Sequence, residues 1–286
     1  MVNIALPTLG GKQFWADLRV VGGWRIQRHV ETGHHRLLDE RDIRRAWGSR
    51  EHCDEALAEA QAEGKAKNQS DRLCLMVHGH IRAKESFNTM AAAMREDGYD
   101  AYAINYPSAR ATVDDLLEQM RTLMADFWHA YSHIDIVTHS MGGLLMRAAI
   151  TDKEWDSIGR FVMLGPPNQG AFMADQLSGH SLSRGLYRLI YGPSGQALIT
   201  GPDGLAAKAG IPGCEFGIIA GGRGAERGYS PLIPGDNDGV VEVTSTKLDG
   251  MTDHLVLPVL HTTMMADDEV IRQTKYFLAH GRFERT

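Results

Sequence analysis

Between residues 71 and 165, strand-like and helix-like segments alternate without a break, and this alternation constrains the fold more than any other feature. RLCLMV (72–77) is a mostly apolar run, residues 84–97 pattern as a helix, and YDAYAIN (99–105) reads as a strand that stops at Tyr106-Pro107. Thr112 and Asp115 match a capping box, and Leu116, Leu117, Met120, Leu123, Met124 and Phe127 follow at helical spacing. The strand IDIV, the turn THSMGG, a helix from about Gly142 to Ile150 and the strand FVMLG (161–165) complete the series. Repeated strand–helix alternation predicts an α/β fold: a mostly parallel central sheet with helices on both faces. EFGIIA (215–220) and HLVLPVL (254–260) read as the last strands, and residues 267–280 as the closing helix. Pro258 suits an edge strand, because proline cannot donate to the ladder.

The ends of this series differ in character. FWADLRVV (14–21) and WRIQRHV (24–30) flank Gly22-Gly23, a hairpin signal, and the Ala- and Glu-rich stretch 50–64 predicts a helix. We therefore expect residues 1–70 to form a hairpin-and-helix extension packed on the core and 71–286 a catalytic domain. A short cap segment, about 171–213, should follow the sixth strand.

Composition narrows the function classes. A net charge of −6 with no Lys/Arg block gives no electrostatic footprint for nucleic acid. Cys53, Cys74 and Cys214 lie far apart with no CxxC pair, which argues against zinc and a disulfide framework and fits a reducing compartment. The N-terminus shows no signal peptide, and no run reaches the ~18 apolar residues of a membrane span. The expectation is a cytoplasmic protein, unless a leader has been removed.

One polar residue interrupts the apolar series at a telling place. Ser140 lies between the strand IDIV and an apolar helix, in Thr138-His139-Ser140-Met141-Gly142. That matches the G-x-S-x-G nucleophile elbow except for threonine at the first position. The competing reading is a serine that merely caps the helix. A nucleophile needs two N–H donors for the developing oxyanion. Met141 supplies one, and the loop after RLCLMV, His78-Gly79-His80, supplies the other from His80, with Ile81 as fallback. A His-x-His pair can also bind zinc, but further placed ligands are missing nearby, so we expect no metal and no cofactor. His78 should instead brace its loop.

An acid and a histidine should follow in that order. His261 ends LVLPVL, where a loop would hold its imidazole over the serine; His254 lies at the other end of the same run, roughly 20 Å away. Among Asp236, Asp238, Asp249 and Asp253, Asp238 fits best: it stands between Asn237 and Gly239, after EFGIIA and its Gly-rich loop. Asp249-Gly250 reads as a turn, Asp253 shares the placement of His254, and Asp236 with Asp238 could alternatively form an acidic loop.

Four segments in this order resemble the α/β-hydrolase superfamily, and within it the small bacterial lipases and esterases. These are VHGH, THSMGG, LGPPNQGA and the pair NDGVVEVTSTKLDG and LPVLHTTMM, spanning about residues 71–280. The resemblance implies the α/β-hydrolase fold and carboxylester hydrolysis through an acyl-serine, with a small-molecule ester or lipid as substrate and no cofactor. Phe172, Leu186, Leu189 and Ile190 in the cap segment are candidates to line an acyl pocket, together with Met173, Leu177, Leu182, Tyr187 and Tyr191. A short cap suggests short to medium acyl chains. A lipid deacylase or acyltransferase would use the same residues, and a catalytically silent hydrolase fold used for binding is the alternative of another class. The sequence does not state an oligomeric state.

Overall fold

The computed structural model describes residues 6–8, 12–151, 155–170 and 204–285. Two sheets organise them. The central sheet has six strands in the order β11-β10-β9-β8-β6-β7, and every neighbouring pair is parallel. Its strands are β6 (Arg72–Val77), β7 (Asp100–Ile104), β8 (His133–His139), β9 (Ile158–Leu164), β10 (Glu215–Gly221) and β11 (Asp253–Leu257). The α/β reading of the sequence is correct. Pro258 lies just beyond edge strand β11, where its missing N–H costs no ladder bond.

Strand β6 shows why the sheet reads as unbroken apolar runs. Leu73, Leu75 and Val77 pack in a core with Leu116, Met120 and Leu123 of α3 (Val113–Ala130) and Leu144 and Leu145 of α4 (Met141–Ile150). Cys74 and Met76 face the other way, toward Met90 and Met94 of α2 (Asn88–Glu96) and Val270, Ile271 and Phe277 of α6 (Asp268–His280). With helices on both faces, neither parity of the strand meets water. The expected helix over 84–97 divides into a 3₁₀ turn, Lys84–Phe87, followed by α2. The Thr112–Asp115 capping box is present in full. A short helix, α5 (Leu205–Lys208), packs Leu205 into the α3/α4 core. No helix among the described residues is long and apolar enough to cross a membrane.

The second sheet is antiparallel, with five strands in the order β1-β5-β4-β3-β2. The expected hairpin is β2 (Trp15–Val21) and β3 (Trp24–His29), joined by Gly22 and Gly23 at φ 56° and 82°. Positive φ at both central residues is what a two-residue hairpin turn requires. Three further strands, β1 (Leu6–Pro7), β4 (His35–Leu38) and β5 (Ile43–Gly48), were not foreseen from the sequence. One face of this sheet buries Trp24, Ile26, Leu37 and Ala46 against Cys53 and Leu57 of α1 (Arg50–Ala62). The other face is tied to the end of β7. Asp17 donates its N–H to the Asn105 carbonyl (3.0 Å) and takes the Asn105 N–H on its carboxylate (2.7 Å). That buried carboxylate is also met by Arg25 (2.7 Å) and Gln27 (2.6 Å).

The chain order around β6 prepares a site. β7 lies on one side of β6, and β8, β9, β10 and β11 lie on the other. The connections after β6 and β8 therefore leave the same sheet end in opposite directions and open a crevice, the place where open α/β sheets hold ligands.

Candidate active site

Ser140 stands at that crevice, between the last residue of β8 and the first of α4. Its backbone is at φ 54°, ψ −127°, a region that non-glycine residues avoid and that costs of order 1–3 kcal/mol. A helix-capping serine has extended φ/ψ and bonds an N–H of the first turn. Ser140 does neither: its side chain makes no cap hydrogen bond, so the capping alternative is overturned. The strained turn is pinned by the backbone, with the Ser140 N–H donating to the Leu164 carbonyl (2.9 Å) and the Ser140 carbonyl accepting from Gly143 (2.9 Å).

The glycines around the serine answer to contact. A Cβ on Gly142 would sit 2.6 Å from the carbonyl oxygens of both Val77 and His78, so α4 can approach the end of β6 only without a side chain there. A Cβ on Gly143 would lie 3.2 Å from Thr138 Oγ1. The threonine at the first motif position thus occupies room that the second glycine provides. A Cβ on Gly79 would meet His139 Nδ1 at 2.7 Å and Ser140 Cβ at 3.0 Å, which brings the loop after β6 directly onto the serine turn.

Of the two expected donors, Met141 opens α4, where the first-turn N–H groups have no partner within the helix. His80 lies in the loop packed on Ser140. The fallback is corrected: the Ile81 N–H donates to Ser108 Oγ at 3.0 Å. His78 is fully buried and stacks on Tyr106 at 4.1 Å, while the Tyr106 hydroxyl donates to the His78 carbonyl. Burial pushes the His78 imidazole down to about 4, so it is neutral and braces the loop.

Asp238 and His261 are joined twice. His261 Nδ1 donates to Asp238 Oδ2 at 2.7 Å, and the His261 N–H donates to the Asp238 carbonyl at 3.0 Å. The second carboxylate oxygen accepts from Val240 (2.9 Å) and Val241 (2.7 Å). Both residues are buried. Gly165, at the end of β9, lies against this pair: its Cβ would be 3.1 Å from Asp238 Oδ2 and from His261 Nδ1. Three of the competing residues serve elsewhere. Asp236 accepts from the Arg223 and Gly224 N–H groups, Asp253 pairs with Arg285, and His254 bonds Thr246 Oγ1. Asn237, fully buried, fixes the acid loop by accepting from Ser230 and Gly239 and donating to the carbonyls of Ser230, Ile233 and Gly235.

Two site-shaping residues escaped the sequence reading. His139, next to Ser140, bonds the His261 carbonyl through Nε2 (2.9 Å), with the two rings 4.5 Å apart. Its position inside THSMGG was the only signal. Arg147 is buried in α4 and donates to the carbonyls of Ala209 and Gly210 and to Asn168 Oδ1, three neutral acceptors. Burial lowers its guanidinium to about 10. It ties α4 to the chain after α5 and to the loop after β9. Phe172, Leu186, Leu189 and Ile190, with the cap segment from 171 to 203, lie outside the described residues.

This arrangement of strands and crevice is the α/β-hydrolase fold, with an antiparallel sheet added at its N-terminal side. The chain belongs to the family described as a domain of unknown function (DUF7379), whose model matches residues 35–208. A comparison with curated proteins gives no match. Among solved structures, the mature lipase BlEst2 of Bacillus licheniformis is 19% identical with a TM-score of 0.56, covering 72% of this chain and 91% of that one. A metagenomic carboxyl esterase is 15% identical with a TM-score of 0.52, covering 68% and 65%. Lipase B of Aspergillus fumigatus is 14% identical with a TM-score of 0.50, covering 73% and 52%. At these identities the likeness is one of fold.

Proposed function

We propose that the protein hydrolyses carboxylic esters of small molecules or lipids through an acyl-serine intermediate. The observation that carries the reading is the backbone of Ser140: a serine held at positive φ on a strand-to-helix turn, with a side chain that caps nothing. Strain of this kind clusters at active sites. The Asp238–His261 pair and the esterase and lipase structures of the same fold lend further support.

In this mechanism His261 Nε2 takes the proton from Ser140 Oγ as the oxygen attacks the ester carbonyl. Asp238 holds the proton on Nδ1 and stabilises the imidazolium. The N–H groups of Met141 and His80 receive the oxyanion. Collapse breaks the bond to the alcohol, which leaves with the proton from His261. Water then attacks the acyl-serine by the same route and releases the acid. Short to medium acyl chains are the range we propose for the site.

The test is hydrolysis of p-nitrophenyl esters from C2 to C16 by the wild type and Ser140→Ala. The reading expects activity strongest at short to medium chains and its loss in the variant. Equal rates in the two proteins would refute it.

A further inference from the structure

The loop Gly79–Arg82 carries an unusual residue. Ile81 is β-branched, 48% exposed, and at φ 55°. A β-branched side chain at positive φ is a true outlier, and its own packing cannot hold it there when half of it faces solvent. Something else must fix the loop. The Ile81 N–H donates to Ser108 Oγ (3.0 Å), and the next carbonyl, that of Arg82, accepts from Gln13 Nε2 (2.6 Å).

Gln13 lies on the 3₁₀ turn Lys12–Phe14 that leads into β2 of the N-terminal sheet. Both ends of its amide are used. Oε1 accepts from the Ala109 N–H (2.8 Å) and the Ser108 hydroxyl (3.2 Å), while Nε2 donates to Arg82 and to Ser108 Oγ (3.0 Å). A backbone N–H can only donate and a carbonyl only accept, so the amide has one workable orientation. Gln13 therefore joins the loop after β6 to the loop after β7. The anchor behind it is firm, since Gln119 donates to the carbonyls of both Asp17 in β2 and Asn105 beyond β7.

We propose that Gln13 is a positioning residue that holds the Gly79–Arg82 loop so that the His80 N–H is presented to the oxyanion. The N-terminal sheet then completes the reactive centre without touching substrate. This rests on the ester-hydrolase reading above. Removing an oxyanion donor outright costs about 10²–10³ in kcat, and a donor left in place but loosened costs less.

The experiment pairs kinetics with hydrogen exchange on the full chain, comparing wild type with Gln13→Ala and Gln13→Glu. Glutamate keeps an acceptor for Ala109 but loses the donor to Arg82. The expected result is a kcat lowered about 10-fold or more in both variants, KM within about 3-fold, and faster amide exchange confined to residues 79–82 and 108–109. Unchanged exchange over 79–82 would overturn the proposal, and so would faster exchange with wild-type kcat. Should Gln13→Ala fail to fold, Gln13→Glu carries both measurements. A wild type inactive on every ester, with exchange still quickened in the variants, would sink the hydrolase reading while leaving the loop restraint standing.

Discussion

His139 Nε2 lies 2.9 Å from the backbone carbonyl of His261. A carbonyl can only accept, so His139 carries its proton on Nε2. Burial, and then the neighbouring His261, hold the His139 imidazole well below its usual range, so it is the neutral tautomer. The residue before the proposed nucleophile thus holds the backbone of the proposed base. Replacing His139 by alanine leaves a buried carbonyl without its donor, a loss of about 1–3 kcal/mol. We predict that His139→Ala unfolds at lower temperature and loses kcat while KM changes little, and that His139→Gln, which keeps an N–H donor, recovers most of both. Steady-state kinetics with thermal unfolding checks this.

Stability should fall on mild acidification. His78 is held at about 4 and His139 well below 6.5 in the folded chain, whereas both titrate near 6.5 when unfolded. Above 6.5 both states are neutral and the stabilisation is complete. As the pH drops below 6.5 only the unfolded state takes up protons, so stability declines toward pH 4. The shift at His78 corresponds to a loss of order 3 kcal/mol over that window. Urea unfolding at pH 7, 6, 5 and 4 should show the decline, less steep in His139→Gln. A flat profile in the wild type would contradict it.

Much of the core was legible because its physics is local. Runs such as RLCLMV need only be apolar on both parities to sit in a parallel sheet, and α3 announces itself by spacing and its Thr112 cap. β4 and β5 were not legible. HRLL is only four residues long and begins with two polar ones, IRRAWG carries two adjacent arginines, and a register shift next to Arg44 breaks their alternation. Their arginines are accommodated by pairing across neighbouring strands or by rings: Arg36 lies over Trp15 at 3.8 Å and bonds Gln27, and Arg45 pairs with Asp39. Asp135, a charge inside β8, is satisfied by Tyr99 and the Arg160 N–H from other segments and by His133 of its own strand. At the candidate site, order and context in the sequence single out Ser140, Asp238 and His261 as the proposed residues. The contacts of His139 and Gln13 could not be read there, being made 122 and 69 residues away.

The glycine contacts give a steric prediction. Gly142→Ala drives a methyl into the backbone of β6, which cannot yield as a side chain could. Overpacking of this kind costs about 1–3 kcal/mol, and activity should fall with it because the serine turn moves. Thr138→Ala removes a buried hydroxyl without a hydrogen-bond partner among the described residues. We expect it to be near neutral alone and to soften the cost of Gly143→Ala, measurable as non-additivity in a double-mutant cycle.

Asp238→Asn tests the acid. An amide in place of the carboxylate can stabilise the wrong tautomer of His261, at a cost of up to ~10⁴ in kcat. Asp236→Asn, which alters only contacts to the Arg223 and Gly224 N–H groups, should stay within about 10-fold of wild type. Similar rates for wild type and Asp238→Asn would assign the role to another acid.

The most direct test of the central claim is labelling with a fluorophosphonate, followed by mass spectrometry of the digested protein. The account predicts a single phosphonylated residue, Ser140, with no labelling of Ser140→Ala and slowed labelling of His261→Ala. An unlabelled wild type, or an adduct on another residue, would contradict it.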